Sequence, residues 1–112
     1  MTTLRNSVQL IGRLGVDPKS FEFDGGKMKT TFSMATSDFY NDKDGKRVEE
    51  TQWHNVVAWG GIAKVAADYL AKGKEIALAG KLTNRSYEDK DGNKKYITEI
   101  VANEIVMLDK KN

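Results

Sequence analysis

The chain of 112 residues has no cysteine, one proline, one histidine and almost no excess of either charge. Without cysteine it can form no disulfide framework, no thiol nucleophile and no thiolate zinc site, and its composition suits a reducing compartment. With only Pro18, and no Ser/Gly-rich or Pro-rich stretch, the sequence offers no linker, so residues 1–112 are expected to form one domain. No segment approaches the ~18 apolar residues of a membrane span, and Met1 to Arg5 carry no signal-peptide core, so no membrane and a cytoplasmic location are expected. His54, standing alone, cannot assemble the three or four ligands of a zinc site, and no metal or other cofactor is expected. Lys plus Arg number 18 against 16 Asp plus Glu, a net charge of +2. Taken alone, that balance argues against a nucleic-acid binder, which usually shows an obvious basic excess.

Signatures of catalysis are missing as well. The serines lie in no Gly-x-Ser-x-Gly elbow, and no glycine-rich loop leads into a helix with Lys-Ser or Lys-Thr behind it. Gly60 and Gly61 precede a helical segment, where a tight strand-to-helix turn explains them more simply than a phosphate at the helix N-terminus. Most carboxylates sit in loops beside lysines, as solvated surface does. The chain is not expected to be an enzyme.

What is present is alternation. Ser7–Leu14 reads as a strand with Val8 and Leu10 inward. Phe21–Phe23 is a short strand, and Asp24-Gly25-Gly26 turns it into Met28–Ser37, where Phe32 and Met34 share a face. Glu50–Trp59 is a strong strand, Glu75–Tyr87 places Ile76, Leu78 and Leu82 on one parity, Lys95–Asn103 follows, and Ile105–Leu108 is an apolar tail. Only Ile62, Val65, Ala66, Tyr69 and Leu70 form a helical stripe, about 100° wide, with Gly73 expected to close the helix. The order predicts an all-β fold: a five-stranded OB-fold Greek-key barrel, one helix between strands three and four, and extended β-hairpins. A sandwich would want about seven strands and no helix. The tetrapeptide Asp-Lys-Asp-Gly recurs at 42–45 and 89–92. In a calcium loop glycine stands sixth, whereas here it stands fourth, so both copies are read as hairpin tips.

The most informative strand is the third. Trp53, Asn55, Val57 and Trp59 should share one face, and His54, Val56 and Ala58 the other. Two indoles on one face are either core or an outward platform. The other strands and the helix already supply enough apolar side chains for a barrel of this size, which favours the platform. Phe39 and Tyr40 precede one Asp-Lys-Asp-Gly turn and Tyr87 the other. They are interleaved with Lys43, Lys46 and Arg47 in the first case and with Arg85, Lys90, Lys94 and Lys95 in the second. Aromatic plates for bases and cations for phosphates are the components of sequence-tolerant single-strand binding. For Lys46, Lys90, Lys94 and Lys110, solvated surface is a sufficient explanation.

Five segments then match a family in order: Asn6–Pro18, Ala35–Ser37, Thr51-Gln-Trp-His54, Ala63–Gly73 and Gly80-Lys-Leu82. Together they closely resemble bacterial single-stranded DNA-binding proteins from about Asn6 to Leu108. The resemblance implies an OB-fold homotetramer, with a dimer as the alternative, that coats single-stranded DNA in replication, recombination and repair. By position it puts the stacking aromatics on Tyr40, Trp53, Trp59 and Tyr87, with Phe39 beside them, and phosphate contacts on Lys43, Lys72, Arg85 and Arg13. It places His54 at a subunit interface, with Asn6, Gln9 and Ile11 outward on the first strand as partners.

Departures from the family pattern are informative. Asn55, Gly61, Ala71 and Thr83 stand where relatives carry DNA-facing Lys or Arg, which predicts a shallower salt dependence. Relatives continue into a disordered linker and an acidic tip. If Asn112 is the terminus, tail-mediated recruitment of replication and repair proteins is not expected. The runner-up is a primosomal OB-fold adaptor, or an accessory or mobile-element paralogue, binding protein as well as DNA. The small net charge also averages opposed segments: residues 38–52 hold three basic and five acidic side chains, residues 53–82 four and two.

Overall fold

The computed structural model describes residues 4–108. A 3-10 turn, Leu4–Asn6, leads into β1 (Val8–Leu14), β2 (Lys19–Glu22), β3 (Met28–Asn41), β4 (Arg47–Trp59), α1 (Gly60–Tyr69), β5 (Glu75–Glu88) and β6 (Lys94–Met107). Strand β1 closes the barrel by pairing on both edges: with β5 from Val8 to Arg13, and with β3 at Arg13↔Ala35 and Leu14↔Met34. The circuit β1-β5-β6-β4-β3 is completed by a short parallel pairing of β4 with β6, Val56↔Ile100 and Val57↔Val101. These five strands form the barrel, and the helix lies between the third and fourth of them. Strand β2 is a sixth, entirely exposed ribbon on the free edge of β3.

Alternation along the strands delivers the core. Leu14, Phe32, Met34, Val56, Ala58, Ile76, Leu78, Ile100 and Ala102 point inward, joined by Ala63, Ala66 and Leu70 of the helix region. Met34 and Ile76 are fully buried, and truncating either to Ala should cost about 2–5 kcal/mol.

The helix face differs from the predicted stripe. Ala63, Ala66 and Leu70 are buried, whereas Val65 and Tyr69 are 38% and 61% exposed. Small residues win this face because the helix backbone comes close to β3, where the buried Thr30 hydroxyl donates to the Ala63 carbonyl at 2.8 Å. The helix also ends at Tyr69, earlier than expected. Gly73 does take a left-handed φ of +89°, but in the turn into β5, where its N–H donates to the Leu14 carbonyl. Leu82 is 46% exposed rather than core, because it sits where β5 leaves the barrel. The apolar tail is instead the end of β6 over Ile105 to Met107, in register with β5 at Leu78↔Ile105 and Ile76↔Met107, and Leu108 just beyond it donates its N–H to the Glu75 carbonyl.

Beyond the barrel, β3–β4 and β5–β6 continue as two-stranded arms. They raise the radius of gyration to 16.2 Å, against about 13 Å for a compact domain of ~100 residues. Their tips are twins. Asp42 Oδ1 accepts the N–H groups of Asp44 and Lys46, and Asp89 Oδ1 those of Asp91 and Asn93. These carboxylates are thus engaged by their own turns, and among the described residues no His/Cys/Asp/Glu group could hold a metal. No helix among them is long and apolar enough to cross a membrane.

Candidate nucleic-acid interface

Strand register decides which side chains share the outer face of the sheet. On β4 these are Trp53, Asn55, Val57 and Trp59, opposite Ala35, Ser33, Thr31 and Lys29 of β3. Val57 pairs with Val101, which carries the face onto Glu99 and Ile97 of β6, then onto Thr83, Arg85 and Tyr87 of β5. At the other side, Lys29 pairs with Phe21 of β2. One continuous surface therefore crosses β5, β6, β4, β3 and β2. A groove of about 440 Å³ runs along it, with Lys19, Phe21, Lys29, Asn55, Arg85 and Glu99 among its walls.

Both indoles face outward, Trp53 at 63% and Trp59 at 47% exposure. The volume argument from the sequence thus holds: Val56 and Ala58 fill the barrel, while Val57 is buried outside the core cluster. Trp53 lies across Gly15, just past the end of β1, and a Cβ on that glycine would overlap the six-membered ring of the indole. Trp59 has neighbours: the Lys29 ammonium is 5.6 Å from its centre and the Phe23 ring 6.1 Å away at 29°.

The other expected contacts divide. Arg85 and Tyr87 project from the same face of β5, and Tyr87 is half exposed. Arg85 donates from Nε and Nη2 to the two carboxylate oxygens of Glu99, at 2.8 and 3.4 Å. That hydrogen bond first, and the Glu99 charge second, hold the guanidinium above its ordinary pKa. Phe39 shares the Trp53 face, and the Arg47 guanidinium lies 4.0 Å from its ring centre. Tyr40, equally exposed, is on the opposite face of the arm, with Thr36 and His54. Lys43 stands at a hairpin tip and Lys72 in the α1–β5 turn, where its N–H donates to Asp17. Arg13 donates from Nη1 to the Gly73 carbonyl at 2.9 Å. None of these last three lines the groove. Lys94 lies over Tyr96 and Lys95 is 4.0 Å from Asp89, as solvated tips do, while Lys110 lies outside the described residues.

Phe21, Phe23 and Lys29 belong to this surface although sequence reasoning gave them no role. Their signal was the one that marked the indoles, aromatics on one parity of a strand. Glu99 was missed too, because nothing local announces its partner 14 positions away.

A second outer face carries the expected interface residues. Gln9 and Ile11 of β1 lie beside Ala79 and Ala77 of β5, and with Glu104 and Val106 they border a shallow depression of about 450 Å³. Ile11 is 63% exposed. The Asn6 amide is engaged within the chain: Nδ2 donates to the Leu82 carbonyl and Oδ1 accepts the Leu82 N–H, at 3.0 and 2.9 Å. His54 is half-buried on the side away from the indoles, its Nε2 3.0 Å from the Thr36 hydroxyl.

Comparison with known proteins agrees with this geometry. The single-stranded DNA-binding protein 1 of Xylella fastidiosa is 47% identical over 107 residues, covering 95% of this chain and 79% of the relative. That of Chlorobaculum tepidum is 44% identical over 108 residues, covering 96% and 67%. Among solved structures, a Plasmodium falciparum SSB in complex with ssDNA superposes with a TM-score of 0.86 at 31% identity, covering 97% of this chain and 98% of that one. Residues 5–108 match the single-strand binding protein family, and the chain, an OB-fold barrel with an outward aromatic face, belongs to that family.

Proposed function

We propose that the chain binds single-stranded DNA without sequence preference, holding bases on Trp53, Trp59, Tyr87 and Phe39 and phosphates on Arg85 and neighbouring cations. The observation that carries this reading is the outward placement of both indoles on one continuous, cation-edged face. Stacking contributes about 1–3 kcal/mol per engaged base and tolerates any sequence, since every base has a π-face. Cations within the groove are few: Lys19, Lys29 and Arg85. If each neutralises one phosphate, the slope of log K against log salt is about −2. Lys43, Lys72 and Arg13, at or beyond the margins, serve a strand that wraps further, as Tyr40 does on the other side of its arm.

Assembly is part of the proposal. The β1 face of Gln9 and Ile11 joins copies into a homotetramer, and His54 lies toward a subunit contact, while Asn6 acts by extending the β1–β5 ladder. The role is to coat and protect DNA in replication, recombination and repair, in the cytoplasm and on the nucleoid. The single-strand binding family is non-catalytic, and no reaction is assigned to this chain. Titrating oligo(dT) while following tryptophan fluorescence should give strong quenching and a salt-sensitive affinity. An unchanged signal together with no gel shift would overturn the reading.

A further inference from the structure

The β2–β3 hairpin carries aromatic surface that the core does not use. Every residue of β2 is exposed, Phe21 at 46%, and Phe23 just beyond it at 48%. Register lines up Phe21, Lys29 and Trp59 as one row across β2, β3 and β4. Within that row the Lys29 ammonium is 6.0 Å from the centre of the Phe21 ring and 5.6 Å from that of Trp59. Phe23, on the same parity as Phe21, stacks on Trp59 with ring centres 6.1 Å apart. Two half-exposed rings thus flank one ammonium, and a third extends the row of rings beyond Trp59. Lys29 also differs from Arg85 in having no carboxylate partner among the described residues.

Rings in water are costly unless something covers them, and an ammonium held between rings is placed for an anion that arrives together with flat apolar groups. A nucleotide strand is such a ligand. Continuity points the same way, because Phe21 and Lys29 line the groove that also holds Asn55 and Arg85. We propose that Phe21, Phe23 and Lys29 form a further nucleotide subsite, continuing the path from Trp59 onto the β2–β3 hairpin, with the rings taking bases and Lys29 the intervening phosphate. The subsite rests on the single-strand binding reading above and extends its footprint beyond the four aromatics that the family resemblance supplies.

The test measures binding of labelled oligo(dT) of graded length by anisotropy, across a salt series, for the full chain and its variants. F21A/F23A should weaken binding about tenfold or more for oligonucleotides long enough to reach the hairpin. It should leave the shortest binding oligonucleotides almost unaffected. F21L/F23L keeps apolar surface but has no π-face; it should fold as the parent does and show the same loss. Lys29→Gln should flatten the salt slope by about 0.7. Should the parent chain bind no oligo(dT) at all, the functional reading itself fails. If the parent binds and Trp53→Ala weakens it, but the hairpin variants keep the parent's affinity, length dependence and slope, the subsite is overturned. A change in assembly mass with unaltered DNA binding would likewise overturn it, by making a second copy the occupant.

Discussion

Two outer faces of this barrel expose apolar side chains, and they differ in kind. The face crossing β5, β6, β4, β3 and β2 exposes rings, namely Trp53, Trp59, Tyr87, Phe39 and Phe21, with Arg85, Arg47 and Lys29 among them. The face of β1 and β5 exposes Ile11 beside Ala77, Ala79 and Val106, flanked by Gln9 and Glu104. Flat rings with cations match bases and phosphates, which are themselves flat and anionic. Aliphatic and small side chains match another aliphatic surface, where they bury area without leaving charges unpaired. Exposure alone would mark both faces as binding sites. It is the chemistry of what is exposed that separates nucleic acid from protein.

The largest effect should come from placing a charge on the aliphatic face. Ile11→Glu should fold normally, since Ile11 is 63% exposed in the single chain, yet reduce the assembly to smaller species by light scattering. An unaltered mass would show that copies meet elsewhere. On the aromatic face, Trp53→Ala should weaken oligo(dT) binding by about 1–3 kcal/mol with little change in melting temperature. Unfolding would make the indole core after all. Gly15→Ala tests the same ring from beneath, because the added Cβ displaces the indole without removing it. It should reproduce part of the Trp53→Ala loss, with no change in the charge of the face.

Those two faces were unequally legible in the sequence. The indole platform followed from parity on one strand together with a volume argument, because alternation is a local property of the chain. The β1 face was legible only as an outward row, Gln9 and Ile11. Its neighbours Ala77 and Val106 arrive from β5 and β6, through pairings that no local pattern announces. The helix was located, and Ile62, Ala66 and Leu70 of its stripe do pack on the core, but Val65 and Tyr69 do not. Hydrophobicity favoured Val65 and Tyr69, whereas close approach to β3 and the Thr30–Ala63 hydrogen bond required alanine. Phe21 and Phe23 were visible as a strand, but their role depends on register with Lys29 and Trp59. In this chain, faces are read from one strand and sites from the pairing of several.

Phe39 and Tyr40 sharpen the comparison within a single arm. They are adjacent, equally exposed at 52%, and on opposite faces of β3. If DNA follows the Trp53 face alone, Phe39→Ala should weaken binding about fivefold or more, while Tyr40→Ala leaves short oligonucleotides unaffected. Tyr40→Ala should then matter only for oligonucleotides long enough to wrap the arm. Equal losses on the shortest strands that bind would show that the arm is gripped from both sides at once.

The smallest expected effect concerns Glu99, an acid on the aromatic face that holds a cation. Glu99 has a side chain only 12% exposed and engages Arg85 through two hydrogen bonds, so it presents a carboxylate where phosphates are expected to pass. Two consequences oppose each other. Glu99 fixes the guanidinium in place, which favours binding, and it repels the phosphate that Arg85 would receive, which disfavours it. Solvent reaches the half-exposed Arg85 and screens the pair, so neither term is large. Glu99→Gln separates them, because the amide oxygen still accepts from Nε while the negative charge is gone. If repulsion dominates, the variant should bind oligo(dT) less than about fivefold more tightly. Its salt slope should then steepen by about 0.7, the equivalent of one more neutralised phosphate on a single strand. If positioning dominates, affinity falls with no change in slope, and Glu99 is then part of the binding surface, not a brake upon it.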